Sequence, residues 1–432
     1  MDVVRAVGRV ALFAVLGALQ ACSAPPDEPP VPFVAAPLPG IRSEPAPKPS
    51  LSAARARKIC QLTGDRDNAR NKPIANETDA RFGVAGTDLG ITAERNGNLV
   101  FMFGDTWGQR PIWPIPTSGD DAFASLPAGS NVLDACHHLA FAHDTGDQDF
   151  APITLDGHTL PVFEVPTGAF ATAHHLYAFF TVADEWGNTI GDHGGRGVLA
   201  RSDGDQIFET VRPVSATSER FNMVSAALAP AGKYLELPSP WAERDVVLAY
   251  GTGHYRESFP RLALAEANHP DDPWIYFAGW DAAGAPRFAP DEESAMPLFP
   301  DDERQACVGE MSVAWAPHIE RWLMTYNCRG KILLRAASTP WGPWSQSLVV
   351  FDKKGAESIG VLHRTCAHFA APCDDTNVSP DFGESVAGDP YGPYMIPRFF
   401  SSSAPGRERI VFTMSTWNPY ATMLMDAEIS LR

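Results

Sequence analysis

The sequence predicts an all-β protein whose strands form a five-bladed β-propeller. From about residue 80 onward there is no long amphipathic helix, and short apolar or alternating runs are broken by Gly, Pro, Asn and Asp. The 35 Gly and 39 Pro residues supply the turns that many short strands require. Five groups share one order of first strand, hairpin and outer strand, which is typical of propeller blades. A sandwich or two small barrels is the alternative architecture.

The five groups follow one another along the chain. The first, at 83–108, contains Asn96-Gly97, a dipeptide that favours a tight hairpin turn. The others span 166–184 with 197–208, 221–229 with 245–267 and 275–281, 309–327 with 331–346, and 391–400 with 409–429. We expect residues of about 350–390 to form an insertion between the last two blades.

Charge and composition exclude two classes of protein. The 34 Lys and Arg residues against 52 Asp and Glu give a net charge of −18, whereas a nucleic-acid-binding protein needs clustered basic charge. The same charge makes a polyanionic glycan an unfavourable substrate. Hydrophobic residues make up 44% of the chain and aromatic residues 10%, which excludes a disordered chain.

Residues 1–21 have the pattern of an export signal. Two arginines precede an apolar run at 10–19 that is too short to span a membrane as a stable helix. The run ends in LQAC, typical of a bacterial lipobox in which lipid is attached to Cys22; an ordinary signal peptide with an incidental Cys is the alternative. Ser23 at the next position resembles outer-membrane lipoproteins. We therefore expect a lipoprotein at the outer membrane or cell surface.

Residues 22–55 are predicted to be a tether. Proline is so dense there, as in APPDEPPVPF, that helix and sheet are excluded, and an extended semi-rigid linker is expected. The predicted propeller then occupies residues 56–432.

The cysteines agree with an exported protein. Besides Cys22 there are six, and an even number is typical of disulfide bonding in an oxidising compartment. The preferred pairs are Cys60 with Cys136, Cys307 with Cys328, and Cys366 with Cys373. Six cysteines allow fifteen pairings, so the others stay open. No CxxC or HExxH spacing occurs, and we predict no metal site.

The first strands of all blades converge on the propeller axis, and their starts line one mouth. The corresponding segments carry Asp88, Thr167, Asn222, Glu310 and residues 391–394. Two of these residues are acids with mostly apolar or Gly neighbours. A carboxylate in such surroundings is either paired or functional.

Asp105 is predicted to lie opposite Asp88. A hairpin turn at Asn96-Gly97 places residues whose numbers sum to 193 across from each other, and Asp88 and Asp105 meet that condition. Two like charges directly across a strand pair are destabilising, so the pair needs a counter-cation or a function. Glycoside hydrolysis uses one protonated carboxyl as general acid and a second as nucleophile or base. A structural turn residue before Gly108 is the alternative for Asp105.

Glu310 and several aromatic residues complete the predicted site. Glu310 either pairs with an arginine such as Arg256 or Arg398, or acts as a third acid that orients sugar hydroxyls or tunes the pKa of the pair. Aromatic faces pack on the C–H faces of sugar rings, while Arg and Asn donate to hydroxyls; burial in the core is the alternative. The predicted substrate-binding residues are Trp107, Tyr255, Arg256, Tyr391, Tyr394, Trp417 and Asn418.

Other chemistries are not supported. His137-His138 and His174-His175 are adjacent pairs, and adjacent strand residues point to opposite faces, which is poor geometry for holding a metal. No GxSxG, Walker or Rossmann pattern occurs.

The segment GTDLGITAERNGNLVFMFGDTWG resembles the endo-D-arabinanase family, bacterial glycoside hydrolases once known only as a domain of unknown function. The resemblance continues through VPTGAF, GTGHYRESFPRLALA, GEMSVAWAPHIERWLMTYN, LLRAASTPWGPWS, YGPYMIPRF and MSTWNPYATMLM, and so covers about residues 80–430. It implies a five-bladed propeller that cleaves D-arabinan of mycobacterial arabinogalactan and lipoarabinomannan. It also implies that Asp88 and Asp105 are the catalytic aspartates. The anchor, the tether and the insertion carrying Cys366 and Cys373 depart from the family and leave the glycan open.

We therefore expect a lipid-anchored glycoside hydrolase that cuts furanosidic linkages within an arabinan-type polysaccharide. The alternatives are a non-catalytic carbohydrate-binding propeller and an exo-acting glycosidase of another specificity. No organic cofactor is expected. A calcium ion in the central channel would suit such a fold, but the sequence offers no ligand set for it.

Overall fold

The structure, a computed structural model, describes residues 49–67, 70, 72–108, 120–143, 149–215, 220–234, 237–299, 306–364 and 386–431. These all belong to one compact unit, Arg42–Arg432. The predicted signal segment, Cys22, most of the tether, Cys366 and Cys373 lie outside the described residues. Within the described ranges, no helix is long and apolar enough to cross a membrane.

The described chain begins with short elements. They are β1 (Leu51–Ala53), β2 (Arg57–Gln61), β3 (Arg66–Asp67), β4 (Lys72–Pro73) and the helix α1 (Thr78–Phe82). A glycine with positive φ, Gly83, ends α1, as is common at helix C-termini.

Five sheets follow, one for each predicted blade, and their strand pairs are antiparallel apart from one pair in blade 2. Blade 1 consists of β5 (Gly86–Arg95), β6 (Asn98–Trp107), β7 (Asp120–Leu126) and β8 (Ala140–Phe141). Blade 2 consists of β9 (Thr154–Leu155), β10 (His158–Thr159), β11 (Val165–Ala171), β12 (Leu176–Val182), β13 (Arg196–Ser202) and β14 (Ile207–Pro213). Within blade 2, β14 pairs with β9 in parallel.

The remaining blades repeat this order. Blade 3 consists of β15 (Met223–Ala229), β16 (Val246–Thr252), β17 (Arg261–Glu266), β18 (Ile275–Trp280) and β19 (Pro286–Ala289). Blade 4 consists of β20 (Met311–Ala316), β21 (Arg321–Cys328), β22 (Lys331–Ala337) and β23 (Leu348–Asp352). Blade 5 consists of β24 (Asp389–Tyr391), β25 (Arg407–Trp417) and β26 (Ala421–Leu431), with β1 and β2 added to β26.

Five apolar clusters fill the spaces between successive sheets. They join blades 1 and 2, 2 and 3, 3 and 4, and 4 and 5, and a fifth joins blade 5 back to blade 1. Each sheet is therefore buried on both faces by its neighbours, which a two-layer sandwich would not require. The predicted five-bladed propeller is confirmed.

The first and last described strands pair with each other and so close the ring within blade 5. Strand β1 pairs antiparallel with β26, with Leu51 opposite Leu431, and β2 pairs further along the same strand. Asp426 of β26 accepts hydrogen bonds from Arg57 of β2 and Arg409 of β25. N-terminal strands thus supply the outer edge of the last blade.

Two of the predicted disulfides are present. Cys60 is bonded to Cys136, which ties β2 to the loop after β7. Cys307 is bonded to Cys328, which connects the segment before β20 to the end of β21.

Candidate functional site

Asp88 lies near the start of β5, the innermost strand of blade 1. The hairpin turn falls at Asn96-Gly97 as predicted, but Asp88 lies opposite Gly104 and not opposite Asp105. The register prediction was wrong by one residue because β5 bulges at Gly90, where φ is +93°. Asp105 is therefore the next residue along β6, in a second irregularity of the same strand pair.

The Asp88 carboxyl is held in a buried position. Its Oδ2 accepts a hydrogen bond of 2.9 Å from the Tyr391 hydroxyl, at the end of β24. Its Oδ1 is buried without a hydrogen-bond partner among the described residues. Burial raises the pKa of Asp88 well above its usual value, and the nearby charge of Asp105 raises it further. The hydroxyls of Tyr391 and Tyr420 oppose the increase because they stabilise the carboxylate.

The Asp105 carboxyl is partly exposed and faces blade 2. The backbone of Asp105 has a φ of +37°, which is uncommon for a residue with a side chain. Its Oδ1 accepts a 3.1 Å hydrogen bond from the backbone N–H of Phe163, just before β11. Burial raises the pKa of Asp105 to about 7, although this N–H favours the charged form. The unusual backbone and raised pKa are typical of functional sites.

Asp121 is a third acid in the same blade. It lies on β7, is 1% exposed, and its Oδ1 accepts a 2.9 Å hydrogen bond from the backbone N–H of Asp105. Burial raises the pKa of Asp121 well above its usual value, with a further increase from the charges of Asp105 and Asp88. Three successive strands of blade 1 thus place one acid each in a single electrostatic cluster.

Glu310 lies on the opposite side of the axis, immediately before β20. Its Oε1 accepts hydrogen bonds from the Tyr255 hydroxyl at 2.7 Å and from the Arg256 guanidinium at 3.2 Å. The guanidinium also lies over the rings of Tyr255 and Tyr391, with centroid distances of 4.6 and 5.7 Å. Of the two predicted arginine partners, Arg256 is the one that pairs with Glu310, while Arg398 pairs with Glu94.

A small cavity lies on the axis between the first strands of the blades. Its lining comes from four blades and includes Thr167, Ser225, Glu310 and Tyr394. Asn222 is fully buried beside it, and its side chain bonds Thr181 and the Gly194 carbonyl. The predicted convergence of the first strands is therefore present in the fold.

Of the six predicted substrate-binding residues other than Asn418, five divide into two groups. Tyr255, Arg256 and Tyr391 contact Glu310 or Asp88 directly. Trp107 is 6% exposed and stacks on Tyr420 with a centroid distance of 4.6 Å, and Trp417 meets the same ring edge-on. The Tyr420 hydroxyl donates to the backbone carbonyl of Asp105 at 3.0 Å. The Trp107–Tyr420 stack thus supports the segment that carries Asp105.

Asn418, predicted to bind substrate, does not lie on an open surface. It is fully buried, and its side-chain amide donates to the Val386 carbonyl.

Sequence reasoning missed Asp121 and Phe163. The signal for Asp121 was available, because Asp120-Asp121 begins the apolar run Ala-Phe-Ala and a buried acid in such a run needs a reason. Phe163 acts through its backbone N–H, which leaves no side-chain signal. Among the described residues, no group of three or more His, Cys, Asp or Glu side chains is arranged to hold a metal ion.

Residues 74–426 match the model of a family described as Domain of unknown function, DUF4185. The chain belongs to the DUF4185 family. This DUF4185 chain has no match among curated proteins.

Solved structures similar to the DUF4185 chain include three glycoside hydrolases. A glycosyl hydrolase from Bacteroides ovatus is 11% identical, covering 87% of this chain and 93% of its own, with a TM-score of 0.41. An α-L-arabinofuranosidase from Podospora anserina, in complex with cellotriose, is 8% identical, covering 88% and 97%, with a TM-score of 0.40. A family 117 glycoside hydrolase from Zobellia galactanivorans is 12% identical, covering 89% and 90%, with a TM-score of 0.39.

Proposed function

We propose that this protein is a glycoside hydrolase in which Asp88 and Asp105 are the catalytic pair. The observation that carries the proposal is the closeness of a buried carboxyl, Asp88, and a partly exposed one, Asp105, on neighbouring strands, where each raises the cost of ionising the other and both have raised pKa values. Such a pair is costly to the fold, because two acids share one poorly solvated site. Hydrolysis of a glycosidic bond needs one protonated and one ionised carboxyl in this kind of arrangement.

The surroundings distinguish the two acids. Asp88 is more deeply buried and has one oxygen without a hydrogen-bond partner among the described residues, so its surroundings favour the neutral form of the carboxyl. Asp105 has a pKa of about 7, accepts the Phe163 N–H and is partly exposed, so it ionises first. We assign Asp88 as the general acid and Asp105 as the nucleophile or general base.

The polar groups around the pair suit a neutral sugar. Glu310, Tyr255 and Arg256 form a connected set of donors and acceptors across the axis from Asp88. Glu310 lines the axial cavity, and its buried Oε2 has no hydrogen-bond partner among the described residues, so it can accept from a hydroxyl that enters the cavity. Within this proposal, Glu310 orients the substrate and Arg256 fixes Glu310.

The resemblance of the first hairpin to endo-D-arabinanases supports a finer proposal. The substrate is an arabinan-type polysaccharide, cleaved at internal furanosidic linkages. The two disulfides are consistent with export. We further propose that the protein is a lipoprotein anchored through Cys22 at the outer membrane or cell surface.

Product chromatography tests the activity and its substrate together. The full chain is incubated with D-arabinan, L-arabinan and xylan, and released sugars are separated by size. We expect oligosaccharides from D-arabinan and none from xylan. Release of single sugars alone would support an exo-acting glycosidase instead. Retention of a glycan without release of reducing ends would support a non-catalytic carbohydrate-binding protein and overturn the proposal.

A further inference from the structure

Trp186 is the most exposed large hydrophobic side chain among the described residues. It is 80% exposed, whereas Leu133, the next, is 57% exposed. It lies in the 183–195 loop, which connects β12 to β13 of blade 2. A single exposed apolar residue is common on protein surfaces and carries little meaning by itself. Two further features set Trp186 apart from other exposed apolar residues. Its loop is ordered by hydrogen bonds, and the same loop packs on the segment that holds Asp105.

The loop around Trp186 is held by a network of short-range hydrogen bonds. Asp184 Oδ1 accepts from the backbone N–H groups of Trp186 and Asn188, at 2.9 and 2.8 Å. Asp184 Oδ2 accepts from the Asn188 side chain, and the Asp184 N–H donates to the Asn188 carbonyl. Thr189 and Asp192 form a capping box in the following turn. The indole is therefore presented on an ordered loop, which lowers the entropy cost of using it to bind a ligand.

The 183–195 loop packs on the segment that holds Asp105. Phe163, whose N–H binds the Asp105 carboxyl, places its ring so close to Gly191 that a side chain there would collide with it. Glu164 accepts a 3.0 Å hydrogen bond from the backbone N–H of Ala183, where the loop begins. The loop that carries Trp186 and the contact that orients Asp105 thus form one unit.

The other side of the loop reaches the blade 3 loop that contacts Glu310. The His193 carbonyl lies 3.3 Å from Nδ1 of His254, and the next residue after His254 is Tyr255. The 183–195 loop, which carries Trp186, therefore contacts both the segment that holds Asp105 and the blade 3 loop that contacts Glu310.

We propose that the Trp186 indole is a platform for a sugar ring of the bound glycan, outside the subsites that flank the cleaved bond. Aromatic faces stack on the C–H face of a sugar ring and remove apolar surface from water. The proposal rests on the proposed function and extends it. A platform beside the pair makes the protein bind a chain of several sugars, as an enzyme that cuts within a polysaccharide requires.

Kinetics on long and short substrates test the platform. We expect Trp186→Ala to raise the KM for D-arabinan about 10-fold, equivalent to about 1.4 kcal/mol of binding, with kcat unchanged. The shortest cleaved oligosaccharide should be hydrolysed at the wild-type rate, and Trp186→Phe should restore most of the affinity for the polymer. Ile207→Ala is the matched control, since Ile207 is 56% exposed on β14 of the same blade. A KM for Trp186→Ala equal to that of the control would overturn the inference.

A binding measurement separates this inference from the proposed hydrolysis. Electrophoresis through a gel containing D-arabinan reports retention of the protein whether or not the glycan is cleaved. If the wild-type protein is retained but cleaves nothing, the hydrolase proposal fails, and loss of retention in Trp186→Ala still supports the platform. Equal mobility of wild type and Trp186→Ala in the gel would contradict the platform.

Discussion

At the residue scale, the site is a set of buried or partly buried acids. The sequence was sufficient to single out Asp88 and Asp105, because each interrupts an apolar strand. It could not assign their roles, because these depend on the Tyr391 hydroxyl, the Phe163 N–H and burial, all supplied by distant parts of the chain. Conformation at Asp105 was also beyond sequence reasoning, since a positive φ at a non-glycine residue is set by its surroundings.

The pKa values predict a bell-shaped pH dependence of hydrolysis. Asp105 must be ionised and Asp88 protonated, so kcat/KM should rise with pH through about 7 and fall again at higher pH, where Asp88 loses its proton. Initial rates from pH 4 to 10 measure both limbs. An acidic limb near pH 4 would show that Asp105 ionises like an exposed acid.

Variants of Asp121 test its role in positioning Asp105. Burial raises the pKa of Asp121 and so favours its neutral form, which an Asn side chain resembles. Asp121→Asn should therefore keep the acidic limb in place, because its amide oxygen can still accept the Asp105 N–H. Asp121→Ala removes that acceptor and should cost about 1–3 kcal/mol of stability together with a large loss of kcat. A shift of the acidic limb to lower pH in Asp121→Asn would show instead that Asp121 is charged.

At the element scale, local patterns predicted the hairpin but not its irregularities. The Asn96-Gly97 turn fixed the register of β5 and β6 up to Ile91. Beyond Ile91, the bulge at Gly90 brings β5 against Thr413 of β25 and shifts the partner of Asp88 by one residue. The bulge packs against blade 5, where the Thr413 hydroxyl donates to the Gly90 carbonyl, and a residue count along one hairpin cannot include such a contact.

The close approach of first strands gives a stability prediction. Gly168 of β11 faces β15, where an added Cβ would overlap the Val224 carbonyl oxygen. Gly168→Ala should therefore lower the free energy of unfolding by about 1–3 kcal/mol. Gly108→Ala is the control, since the nearest atom to its added Cβ is an ordinary 3.5 Å away. Equal urea midpoints for the two variants would show that blades 2 and 3 have room to separate.

At the scale of the whole molecule, five similar groups predicted five blades. The order of first strand, hairpin and outer strand shared by the groups indicated a ring of blades, and five apolar clusters join each sheet to the next in the structure. The contribution of β1 and β2 to blade 5 was not apparent, because their pairing with β26 joins residues at opposite ends of the chain. Short strands next to a Pro-rich segment carry too little pattern to indicate such a distant partner.

The buried acids should make the fold less stable as pH rises. The pKa of Asp105 is about 7 in the folded protein against 3.8 as its ordinary value, so the folded state holds a proton that the unfolded chain releases between these pH values. Stability from this group is therefore complete below about pH 4 and is lost as pH increases to 7. Asp105→Asn should be more stable than wild type by about 1–4 kcal/mol at pH 8, with a smaller difference at pH 4.

Denaturant unfolding at both pH values measures this difference. Asp281→Asn is the control, because the carboxylate of exposed Asp281 accepts backbone N–H bonds that lower its pKa, and its removal should give no gain at pH 8. A stability difference between Asp105→Asn and wild type that does not change with pH would contradict the raised pKa of Asp105.

The most direct test of the catalytic pair is the rate of reducing-end release from D-arabinan by single Asn variants. We predict that Asp88→Asn and Asp105→Asn each lose about 10²–10⁴-fold in kcat while unfolding no more easily than wild type. Asp120→Asn, which changes the neighbour of Asp121 on β7, should stay close to the wild-type rate. Full activity in either Asp88→Asn or Asp105→Asn would contradict the assignment of the pair.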